Sequence, residues 1–298
     1  MEGVSLLFNR TTAILFAFTA GALLPQAHVA SWVVRYLIMT MLFIVFLQTR
    51  FSRESLRLSH ALLFAANLGM GFLGYAVGWM VGGRNIALAL FFAGITPTAT
   101  AAAVIVSFLR GRVDYVVAAF LLTNLGIAAL MPLLLPFVLG EATPDVFGRV
   151  FTSVLIVVFL PMAVALLLRW AHPACTGWPA KLRNFSFGLW LSAMFLIMAN
   201  ASHFLRSQEG LPSSTLWAIG LGSILICAAN FTLGRWIGGR EFAREASQSL
   251  GQKNTAFTIY LAMTYASPLI ALGPTFYVIW HNLWNSLQLH RARKAGGD

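Results

Sequence analysis

Carboxylates are scarce in this chain: its 298 residues hold nine Asp or Glu against twenty Lys or Arg, a formal net charge of +11. The nine (Glu2, Glu54, Asp114, Glu141, Asp145, Glu209, Glu241, Glu245 and Asp298) all fall in connections, tails or the ends of apolar runs. Hydrolytic chemistry therefore finds no carboxylate inside an apolar run to orient a base. Cysteine is nearly missing too. Cys175 sits in a connection and Cys227 inside an apolar run, which implies neither a disulfide framework nor a metal cluster. The bases are scattered singly between apolar runs, so they assemble no face for nucleic acid.

What the chain has in abundance is apolar length. Hydrophobic residues make up 59% of it and charged residues 10%, with a mean hydropathy of +0.79. This is the composition of a polytopic membrane protein. About 20 apolar residues cross the hydrocarbon core, and cutting at charged or Pro/Gly-rich punctuation gives ten such segments, near 11–30, 31–49, 58–81, 85–109, 115–139, 148–170, 185–204, 214–237, 246–267 and 269–289. With ten spans, fifteen of the Lys and Arg residues, Arg50 and Arg53 among them, fall on one side of the membrane and four on the other, leaving Lys253 within a span. The positive-inside rule then places both termini in the cytoplasm, with the inner membrane of a prokaryote as the expected location.

An internal repeat is visible in the residues. Gly78-Trp79-Met80-Val81-Gly82-Gly83-Arg84 closes the third span and Gly234-Arg235-Trp236-Ile237-Gly238-Gly239-Arg240 the eighth, at an offset of 156. The same offset sets Thr96-Pro97-Thr98 opposite Gln252-Lys253-Asn254. Five spans per half is an odd number, so the halves, 1–145 and 146–298, are expected to insert upside down relative to each other. Paired interruptions in inverted halves point to a transporter's midplane binding site.

The two interruptions carry the chemistry. In Ser247-Gln248-Ser249-Leu250-Gly251-Gln252-Lys253-Asn254-Thr255, Gly251 and the polar residues after it favour local unwinding, tolerable at membrane depth only where freed backbone lines a protein cavity. Lys253 has no carboxylate partner within the spans. Its counter-charge must be an anionic ligand, a carbonyl cage, water or a lost proton. The bland alternative is snorkelling, but the residue lies eight positions past Glu245, roughly 12 Å of helix. In the fourth span Pro97 removes a backbone donor, and Thr96, Thr98 and Thr100 offer hydroxyls to the carbonyls so freed or to a ligand. A proline kink satisfied by its own threonines is the ordinary reading there. Helix starts after Pro97 and after Asn254 would present amides and positive dipole ends, a setting that suits a carboxylate. His281, Asn282 and Asn285 in the last span fall within about one helical turn, as interhelical glue or as ligand contacts. Asn67 and the Gly74, Gly78, Gly82 ridge of the third span read as packing positions.

The fourth span through Arg110-Gly111, the stretch Leu250-Gly251-Gln252-Lys253-Asn254 and the run Val278-Ile279-Trp280-His281-Asn282 resemble the bile acid:sodium symporter family, over about residues 67–289. That resemblance implies ten helices in a panel and a core domain, with helices 4 and 9 unwinding where they cross, and carriage of small organic anions such as bile acids, pantoate-like acids or keto acids, usually with sodium. It matches Thr100, Asn254 and Asn282 to the family's substrate-contacting positions. The sodium positions depart from the pattern. Ala102-Ala103 stand for a serine-asparagine pair, Val116 and Phe120 for two hydroxyls, Ser249 for a glutamate and Lys253 for a glutamine, with Asn67 matching another glutamine.

The expectation is a secondary transporter of a small organic anion. Thr98, Thr100, Lys253, Asn254, His281 and Asn282 would contact the substrate, Asn67, Ser249, Gln252 and Lys253 would hold the coupling-cation positions, and Pro97 and Gly251 would break the helices. No cofactor and no metal are expected; sodium coupling is disfavoured, and a proton exchanging at Lys253 is the alternative. Its partners are the organic anion and the bilayer. A non-transporting sensor on the same fold, a conventional sodium symporter using backbone ligands and an intramembrane Schiff-base protein built on Lys253 are the rival readings.

Overall fold

In the computed structural model, residues 2–48, 55–207 and 212–296 are described, with the backbone alone for 2–11 and 293–296. Arg50, Arg53, Glu54, Glu209 and Asp298 lie outside the described residues, so the charge bias is carried there by sequence only.

The described chain is almost entirely helical. Six helices are long and apolar enough to cross a bilayer: Pro25–Gln48, Leu58–Gly82, Val113–Val138, Pro144–Ala171, Arg183–Ser207 and Ser213–Gly238. The other expected spans take different forms. Two are interrupted, as α4 (Arg84–Ile95) followed by α5 (Ala101–Phe108), and as α12 (Ala243–Gly251) followed by α13 (Thr255–Tyr265). The last is α14 (Pro268–Gly296), and the first ends at Leu23, where α1 (Glu2–Leu23) gives way to a 3-10 helix over Pro25–Val33. Pro25 explains the early end: it disfavours helical backbone in the residue before it and has no N–H to continue the ladder.

The helices form two compact units, each drawing on both halves of the chain. One contains α1, α2 (Val34–Gln48), the latter part of α6 (Val113–Val138), α7 (Pro144–Val154), α8 (Leu160–Ala171), α9 (Trp178–Lys181) and α10 (Arg183–Ser207). Here α7 and α8 are joined by a π-turn over Leu155–Phe159, just before Pro161. A proline clashes with the carbonyl four residues earlier, and the wider turn relieves the clash.

The other unit contains α3 (Leu58–Gly82), α4, α5, the first part of α6, α11 (Ser213–Gly238), α12, α13 and α14. Its axis is α4, buried on every side from Ile86 to Ile95. Neighbouring helices reach it through glycine. A Cβ on Gly78 of α3 would lie 2.6 Å from Ala87 Cα, one on Gly74 2.7 Å from Leu90 O and one on Gly273 of α14 2.1 Å from Ala89 O. α4 returns the contact, since a Cβ on Gly94 would stand 2.3 Å from Met70 O. The third-span ridge is thus a packing surface that brings backbones close. A second cluster joins α3, α5, α6 and α12 through Leu63, Ala102, Val106, Tyr115, Val116, Phe242, Ala246 and Leu250.

Gly94→Ala is expected to cost about 1–3 kcal/mol, the usual penalty of overpacking, read as a lowered unfolding midpoint in detergent. Gly148→Ala, on an exposed helical position where an added Cβ meets nothing within 4 Å, is expected to raise the midpoint slightly, alanine being the better helix former.

Candidate functional site: the crossing of two helix breaks

The interruptions at residues 96–100 and 252–254 meet. The Ala99 N–H donates to Gln252 O at 2.8 Å and the Asn254 N–H to Pro97 O at 2.7 Å, an isolated antiparallel bridge pairing Thr98 with Lys253. The break is narrower than the polar stretch that signals it: Ser247 through Gly251 remain helical, and only Gln252, Lys253 and Asn254 leave the helix. Gly251, the last residue of α12, packs under an aromatic ring, an added Cβ falling 2.3 Å from Phe231 Cδ1.

Each break leaves carbonyls that side chains then occupy. At the end of α4, Thr96 Oγ1 donates to Phe92 O at 2.6 Å and contacts Thr258 Oγ1 at 2.7 Å. Asn67 Nδ2 donates to Ile95 O at 2.7 Å and Lys253 Nζ to Gly94 O at 3.2 Å. At the end of α12, Thr98 Oγ1 donates to Ser249 O at 2.5 Å and Tyr277 OH to Gly251 O at 2.9 Å. The two helix ends are capped in the same manner, each in part by the opposite break.

Lys253 is 2% exposed. Its amine donates to Asn67 Oδ1 and to the Gly94 carbonyl, so it points inward and the snorkelling alternative does not hold. The described salt bridges, Arg112 with Asp114 and Glu241 and Arg149 with Asp145, are exposed, and none involves Lys253. The amine instead lies against the C-terminal end of α4, where unpaired carbonyls and the negative dipole end favour a cation. Asn67 does double duty, accepting from the amine and donating to Ile95 O. Two neutral acceptors offset only part of the cost of burying a charge.

Around this pair the described site residues divide. Thr98 is fully engaged: its N–H donates to Thr123 Oγ1 at 3.1 Å, its hydroxyl lies 3.0 Å from the same atom, and its carbonyl accepts Asn124 Nδ2 at 2.7 Å. Asn254, half-buried, donates to Asn124 Oδ1 at 3.1 Å. Thr100, half-buried, opens α5 without a side-chain capping bond. Ser249 Oγ turns back to Glu245 O, and Gln252 Oε1 accepts Asn285 Nδ2 at 2.5 Å. On α14 the polar trio separates. Buried Tyr277, His281 and Asn285, four residues apart, share one face, whereas Asn282 bonds its own helix at Val278 O. His281 stands edge-on to Tyr277 at 5.6 Å, and its Nδ1 meets no partner among the described residues.

Sequence reasoning missed Thr123, Asn124 and Tyr277. The signal for the first two was present, a polar pair between the apolar stretches Val116–Leu122 and Leu125–Leu135 of one helix. Glu245 also exceeds its reading as a span-end charge. It is 5% exposed, accepts the Arg112 N–H at 2.8 Å, and leaves so little room that a Cβ on Gly111 would fall 2.6 Å from Oε1.

No protein-family model matches the chain, and no curated protein matches it by sequence. The likeness to the bile acid:sodium symporters therefore rests on the residues quoted for it.

Asn67→Leu leaves the amine one acceptor and is expected to destabilise the protein by about 3–5 kcal/mol, the usual cost of stranding a buried charge. In Asn67→Leu/Lys253→Met more than half of that loss should return, measured as a double-mutant cycle in denaturant unfolding. Simple additivity would show that the two residues do not act together.

Proposed function

We propose that the chain is a secondary transporter of a small organic anion, working by alternating access around the crossing of the two breaks, with Lys253 as its built-in cation. One observation carries the reading: a buried lysine with no carboxylate partner among the described residues sits where two interrupted helices pair backbone to backbone. Helical membrane proteins tolerate irregular backbone at depth where it is enclosed or lines a cavity, and matched interruptions are the usual substrate and ion sites of transporters. An unneutralised ammonium there favours a carboxylate as cargo. Thr100 and Asn254, half-buried beside the bridge, are the proposed first contacts of the anion, with His281, whose Nδ1 has no partner among the described residues, as a further one.

The same geometry supports independence from sodium. Asn67 Oδ1 and the Gly94 carbonyl are oxygens of the kind a small cation takes, and here the lysine amine takes them. The ten-span inverted repeat, with its panel and core, belongs to this proposal. It is supported by the repeated glycine-tryptophan motif and by the occurrence of one break in each half of the chain. A proton leaving Lys253 during the cycle would release the anion without any second ion.

Lys253→Gln keeps an N–H donor for Asn67 and Gly94 but removes the charge. In proteoliposomes its uptake of a labelled carboxylate is expected to fall tenfold or more, about 1.4 kcal/mol of lost anion attraction at the least, while the protein stays folded in the membrane. Uptake at the wild-type rate would overturn the built-in cation.

A further inference from the structure

The turn between α11 and α12 forms a shallow open cleft of about 460 Å³, lined by Arg235, Trp236, Gly239, Arg240 and Ala243. No carboxylate lines it. Glu241, next in sequence, reaches away to Arg112 at 3.7 Å, and Glu245 is buried against the Arg112 amide. The cleft thus has two arginines and no acidic residue among its lining. Gly239, at φ +60, turns the chain with nothing within 4 Å of an added Cβ, which keeps the floor clear. Trp236 is 74% exposed on the last turn of an apolar span, the position at which indole rings mark the headgroup layer.

We infer that this cleft binds the phosphodiester headgroup of an anionic phospholipid. Guanidinium matches phosphate oxygens bidentately and is more weakly hydrated than ammonium. A free phosphate would use the arginines alone, whereas a lipid also covers the exposed indole and runs its acyl chains down the apolar flank of α11. That combination commits the site to a lipid. The charge bias places this end of α11 on the basic side of the membrane, where anionic headgroups attract such clusters. The matching turn of the first half keeps a positive-φ Gly83 and Arg84, but Trp79 stands where Arg235 is and Met80 where Trp236 is, so it offers a single base. The inference rests on the ten-span topology of the proposed function but not on transport itself.

Purified full-length protein in neutral detergent, titrated with phosphatidylglycerol or phosphatidylcholine and read by native mass spectrometry, tests it. Wild type is expected to retain phosphatidylglycerol and not phosphatidylcholine. Arg235→Gln/Arg240→Gln should lower the apparent affinity about thirtyfold, the usual attraction of two bases to an anionic surface, and Arg235→Lys/Arg240→Lys should restore part of it. Trp236→Ala should weaken retention of the lipid. Undiminished retention in the glutamine double variant, or equal retention of the two lipids by wild type, would overturn the site. Displacement of the lipid by equimolar glycerol 3-phosphate would overturn its assignment to a lipid.

Discussion

Two backbone hydrogen bonds, Ala99 N–H to Gln252 O and Asn254 N–H to Pro97 O, are the constraint on which the site depends. Helix interrupted inside an apolar protein strands N–H and C=O groups at a cost of several kcal/mol each unless they find partners. Here each interruption supplies partners for the other. Pro97 frees carbonyls in α4, Gly251 and the polar residues behind it end α12, and the freed groups meet as a single antiparallel bridge. The breaks are stable as a pair and neither would be so alone.

That pairing also fixes where the charge can go. With Lys253 at the bridge, its amine reaches the end of α4 and takes the Gly94 carbonyl and Asn67 Oδ1. Glycine contacts hold α4 between α3 and α14, so Asn67 of α3 and the face of α14 bearing Tyr277 and Asn285 are brought to the crossing by close backbone packing. Thr123 and Asn124 of α6 then satisfy both the N–H and the carbonyl of Thr98. The result is a buried amine whose described partners are all neutral.

Much of this was legible in the residues. Composition gave a helical membrane protein, and proline or glycine within polar stretches gave both interruptions. What escaped did so for physical reasons. Thr123 and Asn124 look like ordinary interhelical glue because a polar pair in a helix carries no mark of what it faces. Tyr277 counts as apolar until its hydroxyl is seen on Gly251 O. His281 and Asn282 are neighbours in sequence, but adjacent helical positions differ by about 100°, so only the histidine joins the face of Tyr277 and Asn285. The first span ended early because one proline outweighs a hydrophobic run that continues past it.

The central claim is that the lysine amine occupies the place of a coupling cation beside a carried anion. Initial uptake of a labelled small carboxylate into vesicles reconstituted with the wild-type chain, with external sodium replaced by choline, tests it most directly. The same rate is expected in both media; a steep rise of uptake with sodium would contradict a built-in cation.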